Sequence, residues 1–290
     1  MMNNSNIAYE CFQGPRDRIE DSFDAFEMSL PMRDCTFKFL EVSDGVGGYN
    51  GGDVGSNHTV KIIQKSIAKA ILSKKEKLNL SDLLKNACQD ANHEILSLQK
   101  TKLDWRNMSA TIVAVLIVGD ILHVIWGGDS RCYHCTNNEF LQLTRDHSVV
   151  QELIDTGQLQ PEYASLHPAA HTITQYVGKK DFQPESNQAV LSFGDIIILT
   201  SDGATDVLSD IDFINYIEGY RDGQFAFSQL PHLLAKLALD RGTTDNTTII
   251  CYEHLSNIFP EVVFPDFTLT GAYAQELSNE LILFGKDDLS

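Results

Sequence analysis

The longest apolar stretch of the chain, Ala110 to Trp126, is broken once, at Gly119-Asp120. A membrane-crossing helix needs about 20 uninterrupted apolar residues. A Gly-Asp pair between two apolar runs is instead a tight hairpin turn. Residues 109–118 and 121–126 therefore read as paired strands, and their apolar content calls for a sheet covered on both faces. A chain of 290 residues is long enough to supply the covering layers. Its 43% hydrophobic and 21% charged residues fit a folded globular protein and exclude global disorder.

The covering elements can be read on either side of this hairpin. Residues 37–43 form a compact strand that runs into Asp44-Gly45. Val60, Ile63, Ile67, Ala70 and Ile71 repeat at helical spacing after Asp53, and Leu84, Ala87, Ala91, Ile95 and Leu98 do so after Ser81. Ser81 is the expected N-cap, with Leu80 in the staple position, and the two helices are expected to be antiparallel. Strands follow at 131–136 and 140–143, then a short helix at 149–156 that stops at Gly157. Residues 157–185 read as a partly irregular excursion. Strands at 189–192, 195–200 and 247–252 and helices at 211–217 and 227–239 complete an α+β chain of two packed sheets with helices outside.

Twenty-two Lys and Arg against 40 Asp and Glu give a net charge of −18. That field opposes a non-specific grip on nucleic acid or anionic lipid and invites divalent cations. Met1 to Ala8 has neither a basic nor an apolar signal region, so a cytoplasmic protein is expected. Six scattered Cys suit free thiols in a reducing compartment. Cys132 and Cys135 form a C-x-x-C, but residues three apart on a strand point to opposite faces, which argues against a shared metal.

The chemistry lies in where the Asp residues fall. Asp44, Asp129 and Asp202 follow apolar strands and sit beside Gly, Gly and Gly, and Asp245 directly precedes a strand. Any one Asp-Gly pair is by default a turn. Four carboxylates aimed from strand ends would repel one another unless cations lay between them, and all-oxygen ligands select Mg²⁺ or Mn²⁺ over zinc. Residues 43–52 hold five glycines in ten, where backbone can approach a ligand. They match neither G-x-x-x-x-G-K-[ST] nor G-x-G-x-x-G.

Arg16-x-x-x-Glu20-Asp21, the segment SDGVGGYNGGDVGS at 43–56, Gly128-Asp129-Ser130-Arg131, Leu143-Thr144-Arg145-Asp146-His147-Ser148, Thr200-Ser201-Asp202-Gly203 and Asp245-Asn246-Thr247-Thr248 occur in order along the chain. In this order and spacing they resemble the metal-dependent type-2C protein phosphatases, the PPM family, in its bacterial branch, from about Tyr9 to Tyr252. The resemblance implies a central antiparallel β-sandwich flanked by helix pairs, four layers in the order α-β-β-α. A flap at about 145–185 would rise from a catalytic domain at 1–255.

It further implies two Mg²⁺ or Mn²⁺ ions and a possible third, weaker one. Asp44 would bridge the pair, the Gly45 carbonyl would bind one ion, and Asp202 and Asp245 would complete the other. Asp129 would help hold the third, Asp21 would stand near the second with Glu20 beside it, and Asn246 would support the ligands. Arg16 would grip the substrate phosphate while a metal-bridging water attacks phosphorus in line. The substrates implied are phosphoserine and phosphothreonine proteins, made by a cognate Ser/Thr kinase, and the working form would be a monomer.

Ile19 stands where the family usually has Asn, and Val46 where relatives have His or Met, so no imidazole is available there as general acid. His167-Pro168-Ala169-Ala170-His171 replaces a stretch in which relatives often carry arginines. These departures keep open a pseudophosphatase or phosphoprotein-binding regulator on the same fold. A metal nuclease would need a basic surface that this composition lacks. His147 is expected to order its turn, and His123, His134 and His232 to pack or lie at the surface. Residues 256–290 carry Phe259, Phe264, Phe267 and Phe284 among six acidic residues and one Lys. This acidic extension, of unknown role, is expected to dock through its phenylalanines.

Overall fold

A computed structural model describes residues 6–30, 35–46, 51–72 and 79–255. The first strands are β1 (Ile7–Phe12), β2 (Ser22–Leu30), β3 (Cys35–Ser43) and β4 (Gly45–Val46), followed by the helices α1 (Gly52–Leu72) and α2 (Leu80–Leu98). Next come β5 (Ser109–Ala110), β6 (Ile112–Val118), β7 (Ile121–Gly127), β8 (Arg131–Cys135) and β9 (Phe140–Gln142), then α3 (Val149–Asp155). The chain continues through β10 (Glu185–Val190), β11 (Ile196–Thr200), α4 (Asp202–Thr205), α5 (Asp210–Arg221), α6 (Leu230–Asp240) and β12 (Thr247–Glu253).

Two five-stranded antiparallel sheets form, in the orders β1-β12-β11-β8-β9 and β10-β7-β6-β3-β2. Strand alternation explains how they stack. In β6, Val113, Val115 and Ile117 face the other sheet, while Ile112, Ala114 and Leu116 face α1 and α2. In β11, Ile197 and Leu199 point between the sheets and Ile196 and Ile198 point toward α4, α5 and α6. Three apolar clusters thus hold four layers, helices-sheet-sheet-helices, as expected. The hairpin turn is where the sequence places it, with Val118 opposite Ile121 and Gly119 at φ +59°. Cys132 points between the sheets and Cys135 toward the helices, so the C-x-x-C is split.

Several boundaries differ from expectation. The cap of α2 is Asn79, whose side chain accepts from the Asp82 N–H at 3.2 Å. Ser81 sits inside the helix and bonds His123 Nδ1 at 3.0 Å. The helices α1 and α2 pack against each other, and Ser66 of α1 donates to Asp90 of α2 at 3.0 Å. The strand expected at 189–192 is β10, which begins earlier because an edge strand pairs through its backbone whatever its side chains; its Glu-Ser-Asn-Gln start is exposed.

Residues 145–185 are largely irregular, with a 3₁₀ turn at Pro161–Leu166, but their far part is packed. Val177 and Phe182 are buried in the helix-sheet core, and Asn92 and Gln99 of α2 and its C-cap bond the backbone of Gly178. No helix among the described residues is long and apolar enough to cross a membrane. The extension at 256–290 and its phenylalanines lie outside the described residues, as do Gly47 to Asn50 of the glycine-rich loop.

Candidate functional site

One end of the sandwich collects the ends of β1, β3, β7 and β11 and the starts of β2, β6, β8 and β12. A cavity of about 540 Å³ opens there, lined by Arg16, Asp17, Arg18, Glu20, Asp44, Gly45, Val46, Asp129, His171, Ile173, Asp202, Asp206, Thr244 and Asp245. The four strand-end aspartates, separated by up to 201 positions in sequence, meet on its wall with Arg16 and Gly45. Asp44 leaves β3, Asp129 lies in the crossover from β7 to β8, Asp202 opens α4 after β11, and Asp245 precedes β12.

The backbone around them is closely fitted. The Asp44 N–H donates to Thr111 Oγ1 at 2.9 Å, the Thr111 N–H donates to the Asp44 carbonyl at 2.8 Å, and Thr111 Oγ1 and Ser130 Oγ lie 2.7 Å apart. Thr111 therefore ties the end of β3 to the crossover carrying Asp129. A Cβ on Gly45 would meet the Gly52 carbonyl oxygen at 2.2 Å, and one on Gly203 would meet that of Asn246 at 1.8 Å. Only glycine fits either place.

Asn246 clamps the loop that carries Arg16. Its Oδ1 accepts from the Glu20 N–H at 2.7 Å, and its Nδ2 donates to the carbonyls of Gln13 at 2.6 Å and Arg18 at 3.0 Å. Arg16 reaches across to Asp245, Nη2 to Oδ2 at 2.5 Å, and donates through Nε to the Thr244 carbonyl at 2.9 Å. Glu20 lines the cavity. Asp21 does not: it is buried behind the wall, where its Oδ2 accepts from Ser201 Oγ at 2.8 Å and Thr248 Oγ1 at 2.7 Å. The acidic pair thus divides its positions, Glu20 toward the cavity and Asp21 beneath it.

The carboxylates are held in a strained electrostatic balance. Burial, then the charges of Asp202, Asp21, Asp245 and Asp129, raises the pKa of Asp44 well above the usual range. Burial, then Asp129 and Asp206, does the same for Asp202. Asp21 is pushed up to about 6 by burial, against its bonds to Thr248 and Ser201. Asp129 also rises to about 6, through burial and Asp146. Oδ1 of Asp21 and of Asp202 are buried without a hydrogen-bond partner. Orphaned acceptors and mutually repelling carboxylates are costly unless positive charge compensates them, and an all-oxygen donor set suits hard divalent ions. The residues present fit such ions.

Sequence reasoning missed four contributors. Thr111 carried no signal beyond its place in a strand. Asp206 follows Asp202 by one helical turn, which the spacing could have revealed. His171 is brought to the cavity by an irregular segment. Arg131 grips Asp146, Nε to Oδ1 at 2.9 Å and Nη2 to Oδ2 at 2.7 Å, which gives the Gly-Asp-Ser-Arg and Thr-Arg-Asp-His motifs a common purpose. His147 orders its turn as expected, its Nδ1 accepting from the Gly128 N–H at 3.3 Å while its ring stacks on Trp126. His134 is buried against Asp195 at 2.7 Å, and the ring nitrogens of His123 and His232 contact Ser81 and Glu10.

A two-sheet sandwich with aspartates gathered at one end of its strands defines the fold of metal-dependent phosphatases, and comparison with known proteins bears this out. The structure of a Streptococcus agalactiae serine/threonine phosphatase superposes with a TM-score of 0.76 at 29% identity, covering 86% of this chain and 99% of that one. The catalytic domain of the serine/threonine protein phosphatase PstP, solved in complex with two manganese ions, matches with a TM-score of 0.70 at 25% identity, over 86% and 97% of the two chains. The serine/threonine phosphatase Stp of Listeria welshimeri is 29% identical over 216 residues, 73% of this chain and 82% of that protein. The family model for protein phosphatase 2C matches residues 6–153, just over half of the chain. The chain belongs to the protein phosphatase 2C family of metal-dependent serine/threonine protein phosphatases.

Proposed function

We propose that this cavity hydrolyses phosphoserine and phosphothreonine in proteins with the help of two Mg²⁺ or Mn²⁺ ions and a third, more weakly held one. The observation that carries the reading is the convergence of Asp44, Asp129, Asp202 and Asp245 on one cavity wall, with Arg16 at its rim. Two such ions would lower the pKa of a bound water and offset charge developing at phosphorus.

The chain's own residues would divide the remaining work. Asp44 and the Gly45 carbonyl would hold one side of the ion pair, Asp202 and Asp245 the other, and Asp129 would help hold the third ion. Asp21 supports them from behind, anchored by Ser201 and Thr248. Arg16, released from Asp245, presents two parallel N–H donors to the phosphate and favours its charged transition state. Val46 lines the cavity without a titratable group, so the leaving alkoxide would take its proton from water.

The substrate would be the product of a serine/threonine kinase, the 145–185 segment would act as a flap beside it, and a single chain would suffice. Five described cysteines are free thiols, which suits a reducing, cytoplasmic setting. The test is hydrolysis of a phosphothreonine peptide and of p-nitrophenyl phosphate with Mn²⁺. Turnover that requires the ion and vanishes in Asp202→Asn supports the reading; equal, negligible turnover in both proteins ends it.

A further inference from the structure

On the helix-facing side of β2 and β3, Asp24 and Glu41 stand directly opposite each other in the ladder. Cross-strand partners in an antiparallel pair have Cβ atoms about 4.5–5.5 Å apart. Phe26 and Phe39, one step of the alternation away, belong to the core beneath α1 and α2, so the two acids enter the same apolar layer. Both are buried, Glu41 completely, and neither has a part in the proposed hydrolysis.

Donors are scarce at this place. Asp24 accepts from the Ala25 N–H at 2.9 Å and from Gln64 Nε2 of α1. Both carboxyl oxygens of Glu41 and Oε1 of Gln64 are buried without a hydrogen-bond partner. Lys38, on the same strand as Glu41, faces the opposite way, its Nζ 5.9 Å from the centre of the Tyr252 ring between the sheets. Among the buried residues of α1 and α2 the one titratable group is the Cys88 thiol, itself kept protonated by burial and by Glu41. The residue opposite Glu41 on β6 is Ala114. Burial, then the charge of Asp24, raises the pKa of Glu41 well above the usual carboxyl range, and burial pushes Asp24 up to about 6.

We propose that Asp24 and Glu41 share one proton, carried chiefly by Glu41 as a neutral carboxylic acid, and that this proton latches the α1–α2 layer onto the sheet. A protonated Glu41 adds an O–H donor to a group whose acceptors outnumber its donors, and it spares the core a second uncompensated negative charge. Alkaline pH removes the proton, strands that charge beneath the helices and loosens the layer. For an acid whose pKa rises on folding, the stabilisation is fully present below the unfolded value of about 4.3 and is lost as pH climbs through the folded value.

Infrared spectroscopy of the full chain reads the proton directly, because a protonated carboxyl and a carboxylate absorb at different frequencies. With ¹³C in the glutamate carboxyls, the Glu41 band separates from those of the cavity aspartates. At pH 7 the wild type should show a labelled, protonated-carboxyl band that Glu41→Gln removes. Asp24→Asn should keep this band but lose it at lower pH on alkaline titration, because the neighbouring charge that holds the proton is gone. The melting temperature of Glu41→Gln, whose side chain keeps its size and cannot ionise, should exceed that of the wild type by a margin that widens as pH rises from 5. Absence of the labelled band from the wild type means an ionised Glu41 and overturns the proposal. A band that Asp24→Asn leaves titrating at the same pH also overturns it, since the two acids then share nothing, and this second test stands even where Glu41→Gln does not fold.

Discussion

Arg16 Nη2 and Asp245 Oδ2 lie 2.5 Å apart across the cavity mouth, joining a residue proposed to hold phosphate to one proposed to hold a cation. The pair is half open to water, so its own contribution to stability is small. Its meaning is electrostatic: the guanidinium supplies the positive charge that Asp245 would otherwise take from an ion. On the proposed reading, binding of the ions would free the arginine to meet the substrate phosphate.

Arg16→Ala should therefore lower kcat/KM for a phosphopeptide by about ten- to a hundred-fold, the loss expected for charge-assisted hydrogen bonds of roughly 1.5–3 kcal/mol. Arg16→Lys should recover little of it, since an ammonium lacks the paired donors. Steady-state kinetics at saturating Mn²⁺ decide the matter; wild-type rates in the lysine variant would refute bidentate recognition.

Asp202→Asn should separate activity from stability. Turnover should fall by about a hundred-fold or more, as expected when several kcal/mol of metal assistance is lost. The metal-free variant should melt above the metal-free wild type, because a buried, unpartnered carboxylate has been neutralised. Scanning calorimetry in a chelator, beside the kinetic assay, measures both.

The raised carboxylate pKa values set the pH dependence of the metal-free protein. Burial pushes Asp21 and Asp129 up to about 6 in the folded chain and raises Asp44 and Asp202 well above the usual carboxylate range, against about 3.9 in the unfolded chain. Between those values the folded state holds more protons, so stability falls as pH rises through that window. Melting temperature without metal should accordingly drop from about pH 4 to about pH 6. Mn²⁺, which binds the deprotonated carboxylates, should lessen or reverse the trend, and its affinity should climb over the same range. His147, whose pKa is lowered from 6.5 by burial, acts in the opposite sense, costing stability as pH falls below that value.

Asn246→Ala removes three hydrogen bonds from the 13–20 loop. A loss of about 3 kcal/mol follows at roughly 1 kcal/mol each. Urea unfolding should show it, and KM should rise as Arg16 loses its fixed place.

The layers were legible because β6, β11 and β12 alternate between two buried faces, and such runs have few other homes. The converging aspartates were legible because strand ends and glycines mark them. Other features were set by contacts that a linear reading does not contain. Ser81 and Asn79 are both good caps, and the choice fell to whichever residue stood three before an available N–H. The polar start of β10 pairs through backbone alone, so its side chains gave no strand signal. Val177 and Phe182 read as loop residues until α2 is present to receive them. Glu20 and Asp21 are adjacent and acidic, and only the hydroxyls of Ser201 and Thr248 decide which one turns inward.

Pairing of β1 with β12 joins the first described strand to the last, from Ile7 opposite Tyr252 to Phe12 opposite Thr247. Contacts this distant in sequence are slow to form and late to be rewarded. While the chain is still being synthesised, its front portion carries Arg16 and Asp44 but must wait for Asp202 and Asp245 to emerge. The cavity wall of Asp44, Asp129, Asp202 and Asp245 is thus completed only by the segment that leads into the closing strand, and no shorter front portion of the chain can assemble it.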